Sequence, residues 1–234
     1  GQIGLVQGVN TSGLSDVKIG QFDDALACLD KSITINREMG NQREIATSLG
    51  SIAMNNIEMG DFDDALNNLN EAYQIFNEVG DNRMCAMVNS YIAAMYLDKK
   101  EYSNVLDFVN KSIDVFKELK DIPSLTKNLI HKAEALFSLN ECNKSKKVNQ
   151  SAIKYAQEIG DKKLLLFSEL LDIKIGNQLE GKDGKDKIAQ FLSTHTDEED
   201  IADIYYLKFG IEGSDENRNF ASRPYTRCHD FKDR

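Results

Sequence analysis

The chain has 234 residues, 41% hydrophobic and 28% charged, with 38 Asp and Glu against 28 Lys and Arg. That balance describes an ordered protein with apolar material for a core, and its net charge of −10 opposes general binding of nucleic acid, which needs cations to neutralise phosphate. Only two prolines are present; helix interiors exclude proline and turn-rich β folds use it freely, so the composition leans all-α.

In chain order, a first helix is expected over residues 3–19, weakened by Gly4, Gly8 and Gly13. Gly20-Gln21-Phe22-Asp23-Asp24-Ala25-Leu26 then opens a second helix, and the same string returns as Gly60-Asp61-Phe62-Asp63-Asp64-Ala65-Leu66. Between them, Ile45, Leu49, Ile52, Ala53 and Asn56 fall at helical spacing and stop at Gly60, a residue suited to the left-handed turn that closes a helix. Asp61 is expected to cap the next helix, with Asp63 and Asp64 in its first turn, and Ala65, Leu66, Leu69, Ala72, Tyr73 and Phe76 form its apolar stripe. Lys100-Glu101-Tyr102 and Asn140-Glu141-Cys142 keep the same place in altered form. A second marker falls half a period away, at Met39-Gly40-Asn41, Val79-Gly80-Asp81, Leu119-Lys120-Asp121 and Ile159-Gly160-Asp161. Two marks in register over four periods define a repeat of 40 residues, each a pair of helices. Past residue 161 the pattern decays: a helix over 164–175, a partner containing Ile188 and Leu192 after a loop over 180–184, and a last pair over 198–209 and 215–231.

These repeats resemble tetratricopeptide (TPR) repeats. The second repeat supplies that family's succession of large, aliphatic, small and turn residues as Leu49, Ile52, Ala53, Gly60, Phe62, Ala65, Leu69 and Ala72, with Asn56 where an aromatic is usual. The third supplies Ile92, Ala93, Tyr96, Tyr102, Val105 and Val109, with Lys100 for Gly and Ser112 for Ala. Ala53 and Ala65 are expected to let paired helices approach closely. A 40-residue period exceeds the family's usual ~34 and is similar to the extended variety found in kinesin light chains and bacterial signalling proteins. The resemblance implies an all-α fold, a right-handed α-solenoid of stacked antiparallel helix pairs (a TPR-like superhelix). Repeats fall at about 1–40, 41–80, 81–120 and 121–160, and 161–234 forms degenerate helix pairs as a C-terminal cap.

The resemblance also implies a concave wall lined by the first helix of each repeat. Its positions fall on Thr47, Gly50, Met54 and Ile57, then Met87, Ser90, Ala94 and Leu97, then Lys127, Ile130, Glu134 and Phe137. Methionine is soft and suits a groove that takes a helix or extended peptide; the alternative is that some of these residues are buried between repeats. The Lys and Asn pair with which some relatives grip a terminal carboxylate is missing, since the matching places hold Asn10 with Leu14, Gly50 with Met54, or Ser90 with Ala94.

No enzyme motif stands out. The Asp23/Asp24 and Asp63/Asp64 pairs recur as helix starts, Asp197-Glu198-Glu199-Asp200 reads as a cap with an acidic first turn, and His131, His195 and His229 are far apart. Cys28, Cys85, Cys142 and Cys228 are separated by 57, 57 and 86 residues, which suits reduced buried thiols and neither zinc nor a disulfide scaffold; Cys228-His229 lacks a base-orienting pattern. No catalytic residue, cofactor or metal is expected. No apolar run is long enough to span a membrane and no signal peptide is visible. A chain starting at Gly1 is read as a piece of a longer cytoplasmic protein. Charge is uneven: residues 41–80 carry seven acids and one base, whereas 121–160 carry four acids and six bases, with Lys144, Lys146 and Lys147 clustered. The expected function is protein recognition, with a peptide or helix in the concave groove and no nucleic-acid or membrane partner. The alternatives are a sensor arm of a larger signalling enzyme (kinase, cyclase or caspase-like peptidase) or a self-associating scaffold, a homo-oligomer.

Overall fold

The computed structural model describes residues 22–181 and 184–194. The expected helix over 3–19, the final pair over 198–231, His195, the acidic run at 197–200 and Cys228-His229 lie outside the described residues, as do the side chains of Asp23 and Asp24. The described chain is helical throughout: α1 (Phe22–Met39), α2 (Gln42–Met59), α3 (Phe62–Glu78), α4 (Asn82–Asp98), α5 (Tyr102–Glu118), α6 (Ile122–Ser138), α7 (Cys142–Ile159), α8 (Lys162–Glu180) and α9 (Lys185–Thr194). It divides into two compact units, Gly1–Met95 and Tyr96–Arg234.

The turns explain why helix limits keep so strict a period. A residue with positive φ stands at Gly40, Gly60, Gly80, Lys100, Lys120, Asn140 and Gly160, one every 20 residues. Each closes its helix with the same two bonds. The Gly60 N–H donates to the Ile57 carbonyl at 3.0 Å and the Asp61 N–H to the Asn56 carbonyl at 2.8 Å; at Lys120 the equivalents are 3.3 Å to Lys117 and 2.9 Å from Asp121 to Phe116. The conformation therefore survives where glycine does not, although a left-handed non-glycine residue costs about 1–2 kcal/mol.

Helix starts fall into two kinds, and here one expectation is corrected. Asp81, Asp121 and Asp161 cap α4, α6 and α8, accepting from the N–H groups of Met84 (3.0 Å), Ser124 (3.2 Å) and Leu164 (3.0 Å). Asp61, Glu101 and Glu141 precede α3, α5 and α7 without a side-chain cap. At these three starts the residue three places on is itself charged or a strong donor. Asp64, like Asp61, is an exposed carboxylate, Asn104 donates to the Glu101 carboxylate at 2.7 Å, and Lys144 pairs with Glu141. The acids in the first turn of α3 act through the helix dipole instead.

In the first unit the interior is built from small residues that let helices close up, Ala46, Ala53, Ala65 and Ala72, around Leu49, Leu69 and Phe76. In the second, Val105, Val109 and Phe116 of α5 are buried, and Ala133 packs with Leu171 and Ile175. The last described helix, α9, docks through Ile188, Phe191 and Leu192 on Leu166, Leu170 and Ile173 of α8. Gly184 permits that docking, because a Cβ there would collide with the Ile173 side chain.

Candidate protein-binding faces

On α2, residues 44, 47, 51, 54 and 58 recur at spacings of three and four and so share one face; Glu44, Thr47, Ser51 and Met54 are half-buried and Glu58 is exposed. One period on, Met84, Met87, Tyr91 and Ala94 of α4 are all half-buried. The ion pair between Arg43 and Asp81 brings the first turns of the two helices together, with Asp81 only 10% exposed while its other oxygen caps α4. The first unit thus presents a face of three methionines and a tyrosine, with acids at both ends of its α2 side. The Thr47 hydroxyl donates to the Arg43 carbonyl of its own helix at 3.0 Å.

The second unit repeats the arrangement with different chemistry. Lys127 is exposed, Ser124, His131, Glu134 and Ser138 of α6 are half-buried, and α8 adds half-buried Phe167 and Lys174. Lys163 stands 6.0 Å from the Phe167 ring centroid.

Of the residues read from sequence as wall positions, Thr47, Met54 and Met87 are partly accessible in the first unit, as are Lys127, Glu134 and Phe137 in the second. Ile57 (6% exposed), Leu97 (6%) and Ile130 (8%) point into the interior, and Ser90 is buried with its hydroxyl on the Ala86 carbonyl at 3.0 Å. Phe137 leans on the Ala133, Leu171 and Ile175 cluster. Sequence reading missed Met84, Tyr91, Glu44 and Glu58, although the three-and-four spacing recurring one period apart marks all of them.

Burial pushes the Cys85 thiol above its ordinary value, helped by the Asp81 charge, and the thiol reaches the Tyr73 carbonyl at 3.9 Å; this is a structural cysteine. Cys28, Cys85 and Cys142 are free, and among the described residues no group of three or more His, Cys, Asp or Glu could hold a metal ion. The lysine cluster of α7 is partly neutralised, Lys144 by Glu141 and Lys146 by Glu180 at 2.6 Å. No described helix is long and apolar enough to cross a membrane.

Residues 10–78 match the tetratricopeptide repeat family, and residues 90–178 match the anaphase-promoting complex subunit 5 family. Nothing among curated proteins matches the chain in sequence. Among solved structures, aspartyl phosphate phosphatase F from Bacillus subtilis superposes with a TM-score of 0.80 at 17% identity, covering 94% of this chain and 59% of that one. A Rap protein complexed with Competence and Sporulation Factor gives 0.76 at 12%, covering 92% and 62%. A putative kinesin light chain from Podosopora anserina, with nearly identical TPR-like repeats, gives 0.62 at 12%, covering 89% and 97%. The chain spans about three fifths of the length of the phosphatase and of the Rap protein.

Period, turns, helix pairs and these likenesses define an all-α solenoid of the tetratricopeptide type, a class associated with protein–protein interaction. The chain thus has a TPR-like fold with a 40-residue period, and its residues 10–78 match the tetratricopeptide repeat family.

Proposed function

We propose that the chain is a non-catalytic recognition module of the cytoplasm that holds a peptide or helix of a partner protein against the first-helix faces of its repeats. The observation that carries this reading is the half-buried stripe on α2 that returns on α4, with Met54 and Met87 left partly open to water where a surface serving only solvent would be polar. The proposed division is four repeats over about 1–40, 41–80, 81–120 and 121–160 with 161–234 as the cap, and the first helices of the second, third and fourth repeats lie within the described residues. Thr47, Met54 and Met87, and separately Lys127, Glu134 and Phe137, are the contact residues, with Ile57, Ser90, Leu97 and Ile130 shaping the wall from beneath. Selection of a random peptide library against the chain should return binders whose affinity drops at least tenfold in the Met54→Glu, Met87→Glu double variant, its helicity unchanged by circular dichroism. Binders indifferent to both charges would sink the reading.

A second reading, a regulatory arm of a larger signalling protein, draws on the likeness to the phosphatase and the Rap protein, of whose lengths the chain spans only part. Fusing the chain to a reporter enzyme and measuring whether a selected peptide alters the reporter's activity tests it.

A further inference from the structure

The first unit's face combines soft apolar residues with one sign of charge. Three of the chain's six methionines, Met54, Met84 and Met87, lie on it. Residues 41–94 carry eight acids and two bases, and one of those bases, Arg43, is tied to Asp81. Glu44 and Glu58 stand at opposite ends of the α2 stripe, and neither is paired with a cation among the described residues. Although Glu58 is exposed, the chain around it removes enough water to raise its carboxyl above the ordinary value, and a cation beside it would favour the charged form. Fourteen helical residues separate the two carboxylates, about 21 Å at 1.5 Å per residue. An extended peptide covers that distance in about six or seven residues.

We infer that the first unit's face binds a short cationic peptide with aliphatic residues at its centre and lysine or arginine at both ends. The aliphatic centre meets Met54 and Met87, whose unbranched side chains adjust to it, and the terminal cations meet Glu44 and Glu58. This rests on the recognition reading above and adds the chemistry of the partner.

The probe is a fluorescein-labelled octapeptide with two lysines at each end and four aliphatic residues between, compared with its counterpart bearing glutamates at the four ends. Anisotropy at low ionic strength should show the lysine peptide binding at least tenfold more tightly, with the gap narrowing as salt is raised. Glu44→Gln with Glu58→Gln should remove most of the gap. Glu78→Gln, an acid on α3 and off this face, should leave it unchanged. Met54→Ala with Met87→Ala should weaken the lysine peptide while preserving its salt dependence. Equal binding of the two peptides, a gap untouched by the Gln pair, or a loss as large with Glu78→Gln overturns the cationic-partner inference and leaves the recognition reading standing. Binding of neither octapeptide also overturns the inference. The recognition reading fails separately, when library-selected peptides ignore the Met→Glu double variant.

Discussion

α3 and α7 occupy the same register two periods apart and are anchored by different forces. The buried side of α3 is Ala65, Leu69, Ala72 and Phe76; that of α7 is Cys142, Ser145, Asn149, Ala152 and Ala156. Where α3 places a leucine, α7 places Asn149, whose amide donates to the Ser168 carbonyl of α8 at 2.8 Å. Where α3 places an alanine, α7 places Ser145, whose hydroxyl donates to the Ala133 carbonyl of α6 at 2.6 Å. α1 leans the same way, with Asn36 donating to the Ser32 carbonyl at 2.9 Å and Ser32 meeting Ser48 of α2 at 3.1 Å. One backbone geometry thus tolerates either solution. Apolar burial supplies more free energy, whereas hydrogen bonds to carbonyls are directional and fix how far each helix slides along its neighbours. Asn149 also keeps its Oδ1 buried with no partner, so part of its gain is offset by desolvation.

The sharpest test of that contrast is Phe76→Ala, which should cost about 3–5 kcal/mol by opening a cavity under α3. α7 already holds alanine at the matching place, Ala156, so it has no such anchor to lose. Asn149→Ala should cost less, about 1–2 kcal/mol, through the lost bond and a smaller void. Hydrogen exchange, which resolves local opening in repeat proteins, should show the first change loosening α3 and the second loosening α7 with its neighbours. If the asparagine variant proves the more damaging, polar anchoring is the stronger device and the comparison is inverted.

Turns extend the comparison. Gly80 and Lys120 hold the same left-handed geometry one period apart, with φ of 73° and 55°. Lys120→Gly should stabilise by about 1 kcal/mol, and Gly80→Ala should destabilise by a similar amount, both read as shifts in urea midpoint at constant slope. The smallest effect is electrostatic. The hydrogen bond from Lys146 to Glu180, followed by that carboxylate's charge, raises the lysine above its ordinary value. The folded state therefore holds this proton more tightly than the unfolded one. The contribution is fully present below the ordinary lysine value and is lost as pH rises through the higher folded value. Lys146→Met should flatten the alkaline limb of the stability profile; an unchanged limb would show that the pair adds nothing.

Much of the fold was legible because the turn chemistry recurs. Gly60, Gly80 and Gly160 marked helix ends, and Ala53 and Ala65 marked close approach; both alanines are fully buried. Lys100 was less legible, because a side chain disfavoured in the left-handed region carries no signal when bonds at both sides of the turn impose that geometry. Asp61 misled because a residue type that often caps does not by itself fix its side-chain rotamer, and here the carboxylate makes no cap bond. The candidate faces were legible as stripes but not as surfaces. Ile57, Leu97 and Ile130 had the same claim as Met54 until neighbouring helices covered them.

By itself, then, the order of residues determined the period, the ends of the described helices, the all-α class and the excess of acid in residues 41–80. Those properties are local, set by backbone preference at a turn and by which side chains recur every three or four places. Tertiary structure alone decided which side of each stripe stays open, that Asp81 serves both Arg43 and α4, and that α7 hangs on two carbonyls. Those depend on what a neighbouring helix brings alongside, and a single stretch of sequence does not contain its neighbour.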